Sequence, residues 1–296
     1  MPLLQLLFNA LVLGATYALV AVSFSLIVTA TRVFHFAHGG VYVVGAYVGF
    51  LFVTQLQWGL WAGFIAAGVV CALLGLLLNA LVYERLMRVN SPFIVIAVAS
   101  LGLSIVLENL IGLIFSPRIE YVQPRWKLLE WSGQIGSIIV TAKHLAILAI
   151  TLLLLLIFWL FLARTRAGLA MRAMSNDAEL ATIMGLPSAK YRNMTFAVGS
   201  GLVGVSAVLI SLETVTINPF MGTEYVLMAM VAMILAGMGN ITASILGGLV
   251  VGLLQYAGSW YVSDRWSTTM MFIVMVVMLL VRPNGLFGKP VSWLGR

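Results

Sequence analysis

Long apolar runs separated by short polar breaks set the pattern of this chain. The runs lie near 3–29, 40–55, 58–82, 93–116, 138–162, 193–213, 225–237, 241–261 and 267–282. A helix crossing the hydrocarbon core needs about 20 consecutive apolar residues, whereas a barrel strand shows ~10-residue alternating segments. The continuous runs therefore predict an all-α, polytopic transmembrane helix bundle of about 8–9 spans, with the seventh short for a full crossing. No charge precedes Arg32, and no basic residue precedes the first apolar core. A secretory signal carries Lys or Arg there, so the first run is expected to be a retained helix. One long polar segment, 164–192, interrupts what otherwise reads as a single transmembrane domain over 1–296.

Small residues mark helix contacts. Gly63, Ala67, Cys71, Gly75 and Asn79 recur every four residues on the third run, as do Ser244, Gly248 and Gly252 on the eighth. Lipid supplies no hydrophobic drive between helices, so close backbone packing along such stripes takes its place. An internal echo links Phe36–Tyr42 with Phe220–Tyr225, each followed by an apolar segment and a glycine-rich helix. The two copies would run in opposite directions, as in the inverted repeats of transporters.

Composition agrees: 62% of residues are hydrophobic and 8% charged, far from the quarter or so charged residues of soluble domains. The net charge of +7 would suggest nucleic acid in a soluble protein. Here the distribution of Lys and Arg matters instead, and no nucleic-acid partner is expected. With 164–192 placed inside, alternation puts eleven Lys and Arg on the inner side (Arg32, Arg85, Arg88, Arg164, Arg166, Arg172, Lys190, Arg192, Arg282, Lys289, Arg296). Five fall outside: Arg118, Arg125, Lys127, Lys143 and Arg265. The expected topology is N-terminus outside and C-terminus cytoplasmic, in a multi-pass plasma-membrane protein. Trp58, Trp61, Trp126, Trp131, Trp260 and Trp266 all fall near proposed outer ends, where amphipathic rings favour the headgroup layer. The lone cysteine, Cys71, excludes an intrachain disulfide and reads as a packed thiol.

Candidate chemistry is sparse. There is no HExxH motif and no GxxxxGK[ST] phosphate loop, so no catalytic site and no ATPase site of the chain's own is expected. Glu108, beside Asn109, is the one carboxylate well inside a proposed span. A carboxylate in hydrocarbon is costly and suggests a function, against which stands a side chain that reaches the headgroups or a neighbouring helix. Glu213 and Glu224 are expected to be solvated loop ends. His35 and His38 are three apart but lack a third ligand nearby, so a turn closed by Gly39 and Gly40, with polar tips at the membrane face, is preferred to a metal site. Between 164 and 192, Asn176-Asp177-Ala178-Glu179 has the spacing of a capping box. Leu180, Ile183 and Met184 then form a short apolar stripe, and Gly185 and Pro187 end it. Such a helix lies on lipid or docks in a partner's groove, and periodicity does not choose.

The run from Arg164 to Leu186 resembles the cytoplasmic coupling loop of the branched-chain amino acid ABC permeases of the LivH type. Further similarity lies in Thr16-Tyr-Ala-Leu19, Phe36-Ala-His-Gly39, Leu101-Gly-Leu-Ser104 with Asn109, Ile217-Asn-Pro219, Gly237-Met-Gly239, Gly247-Gly248 and Arg282-Pro-Asn-Gly-Leu-Phe-Gly288. The family usually has asparagine at His35 and often an acid at Gly40. The resemblance implies one permease subunit of an ATP-driven importer of small amino acids in the bacterial inner membrane. Its partners would be a second permease of the LivM type, two ATP-binding cassette ATPase subunits that use ATP and magnesium, and an extracytoplasmic solute-binding protein. Asn176, Asp177, Ala178, Glu179, Leu180, Ala181, Ile183, Met184 and Gly185 would dock the ATPase, while His38, Gly39, Tyr42, Glu108 and Asn109 are candidates for the path or a gate. Permeases for urea and short amides are similar, and a stand-alone secondary transporter or channel is a more distant alternative.

Overall fold

The computed structural model describes residues 2–123, 131–136, 138–237 and 239–287. Arg125, Trp126, Lys127, Met238, Gly288, Lys289 and Arg296 from the sequence reading lie outside the described residues. The helices are α1 (Pro2–Thr31), α2 (His38–Phe50), α3 (Leu60–Leu78), α4 (Glu84–Arg88), α5 (Phe93–Phe115), α6 (Ala142–Arg164), α7 (Arg166–Asn176), α8 (Ala178–Ile183), α9 (Ser188–Thr214), α10 (Gly222–Ala236), α11 (Ala243–Tyr261) and α12 (Asp264–Val281). Leu51–Gln55 prolongs α2 as a π-turn, and the π-turn Asn79–Tyr83 joins α3 to α4. Among the described residues, six helical stretches are long and apolar enough to cross a membrane: Leu3–Thr31, Leu60–Arg88, Phe93–Phe115, Ala142–Arg164, Ser188–Thr214 and Ala243–Tyr261.

Helix ends sit where the backbone chemistry requires. Pro92 and Pro187 stand immediately before α5 and α9, where a missing N–H costs nothing. Gly237, at φ +110°, follows the last residue of α10 in a left-handed conformation that glycine adopts without strain. Val215, β-branched and at φ +62°, ends α9 under real strain. Its carbonyl takes the N–H of Val122 at 2.9 Å, beside the short antiparallel pair of β1 (Glu120–Tyr121) and β4 (Thr216–Ile217). A second antiparallel pair joins β2 (Ser132–Ile135) to β3 (Ile138–Thr141). The described chain is mostly helical, as expected, with these two short antiparallel pairs added in the loops. The run begun at 138 is a strand first and a helix only from Ala142, because strand and buried helix share an apolar signal.

Two compact units divide the chain. One comprises Met1–Ser25, Trp126–Leu155 and Leu227–Arg296. Within it the eighth-run stripe packs on α1: a Cβ at Gly248 would land on the Ala18 backbone, and one at Gly252 on Gly14. The Gln5 side chain clips the hairpin, accepting the Ile139 N–H at 2.7 Å. The Arg282-to-Phe287 segment closes on the end of α10, with the N–H groups of Leu286 and Phe287 donating to Leu235 and Ala236 at 2.9 Å each.

The other unit comprises Leu26–Arg125 and Leu156–Val226. Its core is α3 against α9, with α2 packed on α3, α9 and α5. Here too the small-residue stripe meets a partner. A Cβ at Gly75 would strike Ser200, and a Cβ at Gly204 would lie 2.6 Å from the Ala67 carbonyl and from the Cys71 sulfur. Cys71 is a buried packing residue, as its position suggested.

Candidate functional site

Within the second unit, α5 carries polar groups on one face. Ser100, Ser104 and Glu108 follow at intervals of four, which keeps them on one side of a helix, and all three are buried. The face caps the start of α2. Ala37 N–H donates to Ser100 Oγ at 3.0 Å, and Gly40 N–H to Ser104 Oγ at 3.1 Å. The first N–H groups of a helix have no partner within it, and burial without one is costly, so these hydroxyls supply what water cannot. Ser104 Oγ in turn donates to Glu108 Oε1 at 3.3 Å, and Thr223 Oγ1, in the first turn of α10, donates to the same oxygen at 3.2 Å. A carboxylate at a helix N-terminus is also favoured by the helix dipole. Glu108 therefore pairs with a neighbouring helix and does not reach outward to headgroups. Ser104 is the middle residue of the 23-residue α5, so the start of α2 is seated halfway along a helix about 35 Å long.

The starts of α2 and α10 touch. A Cβ at Gly39 would fall 2.7 Å from the Gly222 carbonyl oxygen, and one at Gly222 would strike the Gly39 carbonyl. Tyr42 and Tyr225, each three residues further on, stack with ring centroids 4.5 Å apart. Gly39 closes a turn as expected, its N–H donating to the Phe36 carbonyl at 3.1 Å, and with Gly40 it lies in the first turn of α2, where both permit close contacts. The placement of the histidines is corrected, because His35 and His38 are fully buried and do not point to a membrane face. His35 Nδ1 is 2.7 Å from Tyr83 Oη, which is 2.8 Å from Ser100 Oγ. No group of three or more metal-ligating side chains occurs among the described residues.

Of the path candidates, His38, Gly39, Tyr42 and Glu108 lie in this buried cluster. Asn109 does not: it is exposed, and its amide donates to the Ile105 carbonyl of its own helix at 2.8 Å. Glu224 is exposed and Glu213 half-buried. Sequence reasoning missed Ser100, Tyr83 and Thr223. The first was legible as part of a four-residue polar period in an apolar helix; the other two carry no local signal.

The polar segment after α6 forms two helices, not one. Thr165 caps α7 by accepting the Gly168 N–H at 3.0 Å, and Met171 and Met174 are buried. The cap of α8 is Asp177, whose Oδ1 accepts the Leu180 N–H at 2.9 Å. Asn176 instead ends α7, so the capping reading is shifted by one residue, because an aspartate adjacent to the asparagine offers the same acceptor. Ala181 is buried, while Leu180, Ile183 and Met184 are 54%, 74% and 77% exposed. Glu179 stands in the first turn, and Gly185 at φ +88° ends the element. The apolar stripe is thus exposed on a short helix outside the candidate spans.

Six membrane-length apolar helical stretches among the described residues make this a multi-pass membrane protein by length and composition. The family model for the branched-chain amino acid transport system / permease component matches residues 6–279. The high-affinity branched-chain amino acid transport system permease protein LivH of Salmonella typhimurium is 30% identical over 97% of this chain and 96% of its own length. The corresponding BraD of Pseudomonas aeruginosa is 29% identical, again over 97% and 96%. The fold is similar to a solved chain of PsaBC from Streptococcus pneumoniae in complex with Fab, with TM-score 0.51, 15% identity, and coverage of 93% of this chain and 91% of that one. The chain belongs to the branched-chain amino acid transport permease family, as the membrane permease subunit of an ABC importer.

Proposed function

We propose that the chain passes branched-chain amino acids across the bacterial inner membrane as one half of a permease pair, driven by ATPase subunits that dock on α8. The family match over residues 6–279 carries the importer class and favours this solute. The bare Leu180, Ile183 and Met184 support docking, since a helix of six residues presents too little area to anchor on lipid alone. Asn176, Asp177, Ala178, Glu179, Ala181 and Gly185 shape and end that helix within a cytoplasmic coupling loop at 164–192. The chain itself hydrolyses no ATP; ATP and magnesium belong to the two ATPases. A LivM-type permease and an extracytoplasmic solute-binding protein complete the assembly, with the N-terminus outside and the C-terminus in the cytoplasm. Trp58, Trp61, Trp131, Trp260 and Trp266 are all exposed and suit headgroup anchors; the Lys and Arg distribution is what favours this orientation.

We further take the architecture as an inverted repeat of about 8–9 spans, in which α1, α2 and α3 correspond to α9, α10 and α11. In one unit α3 packs on α9, and in the other α11 packs on α1, so each third helix meets the first helix of the opposite copy. Gly39 with Gly222 and Tyr42 with Tyr225 pair equivalent positions. The short seventh run then follows from α10 starting against the start of α2. That junction, with His38, Gly39, Tyr42 and Glu108, is the gate. The test is ATP-dependent uptake of labelled leucine by proteoliposomes holding the full complex, with excess urea or valine as competitor. Competition by valine alone is expected; competition by urea alone would assign the short-amide alternative.

A further inference from the structure

The bare helix α8 and the junction of α2 with α10 are linked through one buried side chain. α9 begins four residues after α8 ends, and α7 and α8 both pack on it. Its first turns reach the end of α3. Arg192 lies 3.9 Å from Glu84, the Asn193 side-chain carbonyl accepts from Asn79, and the Phe196 ring stacks on Tyr83 at 5.2 Å and 16°. Asn79 and Tyr83 are the first and last residues of the π-turn, and both are fully buried. A four-residue period runs ahead of the α-helical repeat by about 40° at each step, so Tyr83 would swing off the Gly63-to-Asn79 stripe in a regular helix. The wider π-turn returns it to that face, consistent with the use of π-turns at functional positions. From there its hydroxyl meets both His35 Nδ1 and Ser100 Oγ, and Ser100 holds the Ala37 N–H at the start of α2.

We propose that Tyr83 is a positioning residue for transport, whose hydroxyl conveys movement of the start of α9 to the start of α2. The assignment rests on α8 being the ATPase dock. Packing alone would need only the ring, which Phe196 and His35 already engage. The hydroxyl adds a directional bond between an element that moves with α9 and the capping serine of the gate. A two-state element biased from both ends is what coupling between separate sites requires.

Tyr83→Phe keeps the ring and removes the bond; Ser100→Ala removes it from the other side. In the full complex in proteoliposomes, leucine taken up per ATP hydrolysed should fall by about tenfold in each, the effect of losing one buried hydrogen bond. The double variant should fall by less than the product of the two single effects, because both delete the Tyr83–Ser100 bond. ATPase co-purification should match the unsubstituted complex, while thermal stability should fall modestly, more for Ser100→Ala, which also uncaps the Ala37 N–H. An unchanged ratio, whether both rates are normal or both fall together, would overturn the role of Tyr83. Absence of ATP-driven uptake in the unsubstituted complex would instead overturn the importer reading, and this one with it.

Discussion

Replacing Ile183 by Asp separates a docking helix from a solvated one. Ile183 is 74% exposed in the permease alone, so the substitution removes few internal contacts. Exposed substitutions of this kind shift stability by about 0.5 kcal/mol or less. In a partner's groove the accounting differs. Burying the remaining part of an isoleucine contributes on the order of 1–2 kcal/mol, which the variant loses. The carboxylate must also be desolvated, but that cost is capped by protonating it. Raising an ordinary Asp from near 3.9 to neutral at pH 7 takes about three units, or roughly 4 kcal/mol. The summed loss of about 5–6 kcal/mol corresponds to an affinity at least a thousandfold lower. Ile183→Ala, which lacks the charge, should cost only the first part. The assay is co-purification of the ATPase subunits with tagged permease, alongside leucine uptake in the same cells and permease abundance in the membrane. Asp should abolish capture and uptake at normal abundance, with Ala intermediate. Full capture with the Asp variant would refute docking through this stripe.

Three further outcomes are expected. Glu108→Gln should lower transport while leaving assembly intact, because the amide keeps the shape but weakens a charge-assisted acceptor shared by Ser104 and Thr223; normal uptake per assembled complex would remove Glu108 from the gate. Gly248→Leu should lower the melting temperature of the permease in detergent, since overpacking typically costs about 1–3 kcal/mol and here the side chain meets the Ala18 backbone; an unchanged melting point would refute the tight α1–α11 contact. A cysteine at exposed Asn176 should react with an impermeant reagent only in opened cells, and one at exposed Ser132 in intact cells; the reverse would invert the topology.

Membrane helices are legible because lipid satisfies no backbone group, so each crossing must be a long apolar run. The glycine stripes were legible for a related reason: only small residues let two backbones approach, and both stripes meet their partners. What sequence hid was partnership at a distance. The echo of Phe36–Tyr42 in Phe220–Tyr225 brackets Gly39 and Gly222 but does not say that they touch, and Thr223 looks like an ordinary loop residue until it is seen on Glu108. The strand Ile138–Thr141 was absorbed into an apolar run, and α7 was missed because its buried face is made of Gly168, Ala170, Met171 and Met174 at spacings that a short window dilutes. The exact cap of α8 turned on a choice between Asn176 and Asp177, which have equivalent capping preference.

The distribution of bond types shows where movement costs least. Between α3 and α9, and between α1 and α11, backbones touch along whole stripes, and separating them would open voids with no side chain to fill them. The starts of α2 and α10 are held differently. There the contacts are two glycines, one pair of stacked rings, the hydroxyl caps of Ser100 and Ser104, and the hydroxyls of Ser104 and Thr223 donating to Glu108, all at 3.0–3.3 Å. Hydroxyls rotate, and water can replace them as caps at modest net cost once it enters. If this junction opens in transport as proposed, its polar caps would leave the helix ends satisfied whether shut or wet. An apolar seal at the same place would leave the N–H groups of α2 and α10 without partners in the closed state. On the proposed gate, Glu108 would keep the helix ends capped in both states while Gly39 and Gly222 part.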